Sequence, residues 1–389
     1  MRRVVVFVLC LAIAGLTLTG LLVGCGEGGG ATTTLAPTTT IVSGTTGVEW
    51  PQIIWTNYGR SGDTDVEAFK ASAAGQKSAE YQKLFFLFSN EMDPTVLAYY
   101  DGLNVKKEMH DADDPDLKWA SYTPVAALEE GNKTKYPVVF DFVGGERLIF
   151  SAEGHGFAQN ANKYGYIAVL PANPVSNGSD AITPGGQVAR ILDALEGQGY
   201  PIDRSRVYVV GMSAGGVATA GACLEQPNVI AAGVMHSSLA VLSPEPSDNF
   251  PFSTPADQYA KAMEYEMPML AMAGDFDFGM LPITEQGTVD GLNQWLKANG
   301  CATEAALVTD SADVAVKALG VEGDETWTET IDDVVHHGTG WYDADGVKKV
   351  ELVCITNLSH WPSGTFAELA WEFMSRFSRD ADGNLVVSE

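Results

Sequence analysis

The sequence predicts an α/β domain, a doubly wound and mostly parallel sheet with helices on both faces. Three observations carry that prediction. Apolar, β-branched runs such as Tyr136 to Val143 (YPVVFDFV) and Val207 to Val210 have the unbroken hydrophobicity of strands buried on both faces. Such runs alternate with helical periodicity, as in Gly185 to Glu196, where Val188, Ile191, Leu192 and Leu195 recur three to four residues apart. Finally, Arg206 to Cys223 (RVYVVGMSAGGVATAGAC) joins a buried strand to a small-residue helix through Gly211-Met212-Ser213-Ala214-Gly215.

That last stretch organises the chain. A turn this sharp forces Ser213 into a strained backbone conformation, and glycines two residues either side let strand and helix pass closely. The serine is thereby held at the carboxyl end of a strand, where open α/β sheets bind their ligands.

The elements follow in order. Met1-Arg2-Arg3 and the apolar run Val4 to Val23 form a targeting segment that ends in Leu22-Val23-Gly24-Cys25, which resembles a bacterial lipobox. Residues 1–24 are expected to leave as a signal peptide and Cys25 to carry lipid, which places the protein outside the cytoplasm on a bacterial membrane surface. Residues 25–47, with Gly-Gly-Gly, two Thr triplets and few bulky side chains, read as a flexible tether. Residues 48–117 hold Trp50, Trp55, the run Leu84-Phe85-Phe86-Leu87-Phe88 and Tyr99-Tyr100-Asp101-Gly102. They read as an extension packed on the main domain, residues 118–389.

Within that domain Lys118 to Thr123 reads as an edge strand, followed by strands at Tyr136 to Val143 and Tyr166 to Leu170. After the Gly185 to Glu196 helix and the Ser213 strand come strands at Val229 to Met235 and Met269 to Ala273. A helix at Val289 to Leu296, a last strand at Val350 to Ile355 and a closing helix at Phe366 to Phe377 complete the pattern.

Composition narrows the partners. The chain has 23 basic and 50 acidic residues, a net charge of −27, and without Arg2 and Arg3 it falls to near −29. Such a surface repels nucleic acid, so no nucleic-acid partner is expected. Past Cys10 and Cys25 three cysteines remain, Cys223, Cys301 and Cys354; in an oxidising compartment Cys301 and Cys354 are the preferred pair, with three buried thiols as the alternative. No Cys/His spacing suggests a zinc site, and neither metal nor other cofactor is expected.

The chemistry to look for is nucleophilic. A serine hydroxyl attacks only with a base in hydrogen-bond reach, itself oriented by a carboxylate. His360 follows a strand and precedes the final helix, so it is the candidate base. His336-His337, in a Gly/Asp-rich stretch, reads as a surface loop, and His155 and His236 as structural or cleft-lining. Asp275 and Asp277 both follow the Met269 strand, and Asp277 is the preferred acid. The oxyanion donors expected are the N–H of Ala214, at a helix N-terminus, and that of Gly145 or its neighbour Glu146.

These residues resemble the secreted polyhydroxybutyrate depolymerase, feruloyl esterase and acetyl-xylan esterase group of α/β-hydrolases. Tyr200 to Gly216 resembles the group's approach to the nucleophile, Ala273-Gly274-Asp275-Phe276-Asp277 its acid loop, and Ser359-His360-Trp361-Pro362-Ser363-Gly364 its His-Thr-Trp-Pro-Gly loop. The resemblance implies an α/β-hydrolase fold and a Ser213–His360–Asp277 triad. It also implies ester substrates, small or polymeric, with Trp361 and Glu146 near the substrate. The chain departs from the group at Val143-Gly144, where relatives have His-Gly, at Ala273, and in an acidic insertion from Thr303 to Val347. The competing readings are a serine peptidase on the same fold and a non-catalytic binding protein on a hydrolase scaffold. Oligomeric state is open.

Overall fold

The computed structural model describes residues 94–111, 117–142, 144, 149–171, 182–238, 256–277, 280–358 and 360–388, with short pieces at 41–42, 47–48, 71–73 and 76. Cys25, Trp50, Trp55, the Leu84 to Phe88 run, Gly145 and Glu146 lie outside these residues. The chain divides after Pro51. In the first unit Ile41–Val42 pairs antiparallel with Gly47–Val48. The second unit holds everything that follows.

Its frame is a ten-stranded sheet of β1 (Val105–Asp111), β2 (Lys118–Pro124), β3 (Tyr136–Phe142), β4 (Ile167–Pro171), β5 (Ile202–Met212), β6 (Ile230–His236), β7 (Met269–Gly274), β8 (Glu325–Ile331), β9 (Val334–Tyr342) and β10 (Lys348–Ile355). The spatial order is β8-β9-β10-β7-β6-β5-β3-β4-β2-β1. From β4 through β3, β5, β6 and β7 to β10 every pairing is parallel. Both margins turn antiparallel.

The helices are α1 (Pro94–Gly102), α2 (Phe157–Tyr164), α3 (Pro184–Gly197), α4 (Ala214–Glu225), α5 (Ala256–Ala262), α6 (Gln286–Ala298), α7 (Val314–Leu319) and α8 (Phe366–Met374). Strand side chains alternate between two cores. Val138, Phe140, Val207 and Val209 pack with the apolar faces of α3, α4 and α6. Val139, Tyr208 and Val210 pack with α1, α2 and α8. Each parallel strand is sandwiched, which is why its sequence reads as an apolar run rather than an alternation.

Three expectations are corrected. The Lys118 strand is one place in from the margin; the edge is β1, whose polar sequence VKKEMHD hid it because Lys107 is buried through an ion pair rather than through apolarity. His336 and His337 lie in β9, not in a surface loop: the Thr303 to Val347 insertion folds into α7 and the β8–β9 hairpin and extends the sheet past β10. The closing helix stops at Met374, and Phe377–Arg379 pairs antiparallel with Leu385–Val387.

Cys301 and Cys354 are not bridged. Cys301 pairs with Asp343, beside the start of β10, whereas Cys354 lies near the end of that strand. The six residues from Lys348 to Cys354 span about 20 Å at the usual rise, far beyond the reach of a disulfide.

Candidate active site

Ser213, Asp277 and His360 each sit where a parallel strand gives way to a turn or loop at the carboxyl edge of the sheet. Ser213 follows β5 and precedes α4, with φ 57° and ψ −122°, a conformation in which a non-glycine residue is strained. The sequence permits it at Gly211, where a Cβ would stand 2.4 Å from the Gly215 carbonyl oxygen. Ser213 is held in place from the next strand, its N–H donating to the His236 carbonyl at 2.9 Å.

Asp277 follows β7, its N–H closing a turn onto the Gly274 carbonyl at 3.2 Å. Its side chain is fully buried. His360 lies between β10 and α8, and its ring is largely buried. The three side chains meet: His360 Nδ1 is 2.7 Å from Asp277 Oδ1, and His360 Nε2 is 2.9 Å from Ser213 Oγ. A carboxylate only accepts, so Nδ1 carries the proton and Nε2 is left as the acceptor for the serine hydroxyl. The arrangement can take a proton from Ser213 as its oxygen attacks and hold the resulting imidazolium against Asp277.

Asp275 precedes Asp277 in the same turn, its N–H donating to the Ile355 carbonyl at 3.2 Å. It lines a cavity of about 380 Å³ with Lys317, His337 and Cys354, on the α7 side of the sheet. Ala214 opens α4, so its N–H lies at the helix N-terminus, ahead of Gly216 and Val217, whose N–H groups donate to the Ser213 carbonyl. The helix dipole favours negative charge at that end. Trp361 is half-buried beside His360.

Histidines set aside at the sequence level turn out to surround the site. His155 Nδ1 lies 2.7 Å from Asp141 Oδ1, both buried, and burial pushes the Asp141 carboxyl up to about 6 against the opposing pull of His155. His236 and His336 are fully buried, and burial lowers the pKa of both below the ordinary histidine value. His336 sits in β9 opposite Glu329 of β8 and Ile355 of β10, a place that Asp333 and Gly338 disguised as a loop in the sequence. Among the described residues no group of three or more His, Cys, Asp or Glu side chains could hold a metal ion.

No family model matches the chain. A 97-residue stretch is 34% identical to acetylxylan esterase A of Emericella nidulans, covering 22% of this chain and 32% of that protein. The match therefore spans about a third of the curated relative's length. Among solved structures, an acetyl xylan esterase from Aspergillus awamori is similar with a TM-score of 0.44 and 16% identity, over 70% of this chain and 98% of that one. An S-formylglutathione hydrolase (FrmB) from Staphylococcus aureus gives 0.36 and 15%, over 45% and 81%. The chain itself has the α/β-hydrolase arrangement: a parallel core, a strained serine between strand and helix, and the order Ser213, Asp277, His360 along the sequence.

Proposed function

We propose that the protein is a serine esterase in which Ser213 attacks an acyl carbon, His360 accepts and returns the proton, and Asp277 fixes the imidazole. The observation that carries this reading is the unbroken contact from Ser213 Oγ through the His360 ring to Asp277 Oδ1, at 2.9 and 2.7 Å. The reaction proceeds in two steps. Ser213 Oγ bonds to the carbonyl carbon while its proton passes to His360 Nε2. The alkoxy leaving group takes that proton as the tetrahedral intermediate collapses to an acyl-enzyme. Water, deprotonated by His360, then releases the acid and restores the serine. The Ala214 N–H stabilises the oxyanion, with the N–H of Gly145 as the second donor and Glu146 and Trp361 beside the substrate.

The substrate class is a carboxylic ester, and acetyl esters of polysaccharide come first because the curated relative is an acetylxylan esterase; polyesters and plant phenolic esters complete the panel. Cys25 carries lipid in this reading, and the enzyme works outside the cytoplasm, tethered to a bacterial membrane.

The test is turnover of p-nitrophenyl acetate and labelling by a fluorophosphonate, each compared with Ser213→Ala. Loss of both in the variant is expected. Turnover unchanged in Ser213→Ala removes the serine from the mechanism. Absence of both in the wild type removes the esterase reading. Mass spectrometry of the N-terminal peptide, compared with Cys25→Ser, tests the lipid.

A further inference from the structure

The loop carrying His360 is tied down from beneath by two imidazoles that the reaction itself does not use. The Ser363 N–H donates to His236 Nε2 at 3.3 Å. That fixes the tautomer of His236: Nε2 accepts, so Nδ1 holds the proton, and it lies 2.9 Å from Ser237 Oγ. His336 Nδ1 lies 2.9 Å from the Val334 carbonyl, which can only accept, so this ring is protonated on Nδ1. Its Nε2 then accepts from the Thr365 hydroxyl at 2.9 Å. With Thr365 committed as a donor, the 3.2 Å contact between Ser363 Oγ and Thr365 Oγ1 has Ser363 donating.

The same segment of chain holds the nucleophile. The His236 carbonyl accepts from the Ser213 N–H at 2.9 Å, and the Ser238 hydroxyl donates to the Ser213 carbonyl. Both main-chain groups of Ser213 are thus fixed by residues 236 to 238, while the ring of residue 236 fixes the loop that delivers His360. Phe366, at the start of α8, packs its ring against that of His236, centroids 4.8 Å apart and planes tilted by 55°.

We infer that His236 and His336 are positioning residues, a pair of buried imidazoles that hold the Ser363–Thr365 end of the His360 loop in register with the Ser213 turn. The inference rests on the esterase reading for its kinetic readout. In α/β-hydrolases the base reaches the nucleophile from a separate loop, so a few tenths of an ångström of drift in that loop lengthens the proton-transfer contact. Placement errors of this kind cost catalysis without touching substrate affinity.

Thr365 gives the cleanest test. It is 2% exposed, and Thr365→Val keeps its shape while removing the donor to His336 Nε2; Thr365→Ser keeps the donor and gives up a methyl group. For p-nitrophenyl acetate, Thr365→Val is expected to lower kcat per titrated active site about tenfold. KM should stay within about twofold, and the rate of fluorophosphonate labelling should fall in parallel with kcat. Thr365→Ser is expected to restore both. His236→Leu and His236→Gln form the second pair, the glutamine oxygen standing in as acceptor for the Ser363 N–H; if the leucine variant does not fold, the Thr365 pair decides.

Equal kcat per titrated site in Thr365→Val and Thr365→Ser, or a loss that merely tracks the folded fraction by circular dichroism, overturns the inference. A readout independent of turnover is the NMR resonance of the proton between His360 Nδ1 and Asp277. It should shift or broaden in Thr365→Val and return in Thr365→Ser. A wild type with no turnover and no labelling sinks the esterase reading alone, while a resonance indifferent to Thr365→Val sinks the positioning role.

Discussion

The main-chain N–H of Phe276 donates to the carbonyl of Leu358 at 3.1 Å, which joins the turn bearing Asp277 to the loop bearing His360 before their side chains meet. Asp275 adds a second link, its N–H donating to the Ile355 carbonyl at 3.2 Å. Asp277 and His360 are therefore placed relative to one another by backbone, at the ends of two parallel strands in register from Met269 and Val350 to Gly274 and Ile355. Ser213 joins from two strands away through residues 236 to 238.

The link depends on the absence of a side chain at Gly274. A Cβ there would lie 1.8 Å from the Leu358 carbonyl oxygen, a backbone atom with nowhere to go. Gly274→Ala is expected to destabilise the fold by about 2 kcal/mol or more. It should also lower kcat on p-nitrophenyl acetate by more than its folded fraction accounts for, since the His360 loop must move. Urea unfolding followed by circular dichroism, alongside kinetics at a urea-free temperature well below unfolding, separates the two effects.

The two aspartates of the acid turn are separable by kinetics. Asp277 Oδ1 lies 2.7 Å from His360 Nδ1, while Asp275 lines the cavity with Lys317 and His337. Asp277→Asn inverts the preferred tautomer of His360 and is expected to lower kcat by on the order of 10⁴. Asp275→Asn keeps the shape of the side chain and should leave kcat within about threefold of wild type. A large loss at Asp275 instead would assign it a part in orienting the acid turn.

How far the sequence could be read follows from where its information lies. The parallel core was legible because each strand is buried on both faces and spells out its own apolar run, as Val207 to Val210 does. Gly211 and Ser213 were legible because a steric requirement leaves few residue choices. The edge strand β1 was not, because its burial depends on Lys107 meeting Glu153, a partner 46 residues away that no local pattern reveals. Nor was the place of His336, whose role is set by contact with Thr365, 29 residues on. The Cys301–Cys354 pairing failed for the same reason: counting cysteines carries no information about which end of β10 each one occupies.

That Lys107–Glu153 pair makes its own prediction. Both side chains are fully buried, with Nζ 2.7 Å from Oε1, and the Tyr100 hydroxyl donates to the other carboxylate oxygen at 2.5 Å. Lys107 also lies over the rings of Tyr100 and Tyr122 at 5.8 and 5.5 Å. Glu153→Gln strands a buried ammonium and should cost about 3–5 kcal/mol of stability. The double variant Lys107→Met, Glu153→Leu removes both charges and should lose less than the single one. Denaturant midpoints of the three proteins check this, and a double variant weaker than Glu153→Gln would show that the pair contributes more than the absence of stranded charge.

The buried imidazoles predict the direction in which acid acts on stability. His236 sits among His155, His336 and His360, and burial with those neighbours holds its pKa well below its ordinary 6.5. His336, beside Glu329 and His337, is lowered too, chiefly by burial. In the window just below pH 6.5 the unfolded chain binds protons at both residues and the folded chain does not. Stability is therefore full above 6.5 and is lost as pH falls, by about 1.4 kcal/mol per pH unit for each histidine fully in that window. Asp141 works the other way: its carboxyl is pushed up to about 6 from an ordinary 3.8, so between those values the folded state binds the proton first and gains stability as pH falls. The expected profile is a decline beginning near pH 6.5 that becomes shallower below about 6, and His236→Gln should flatten the upper part by one proton. Urea unfolding at half-unit steps from pH 5 to 8 measures it, and a slope between pH 6 and 6.5 identical in wild type and His236→Gln would mean that His236 titrates alike in the folded and unfolded chains.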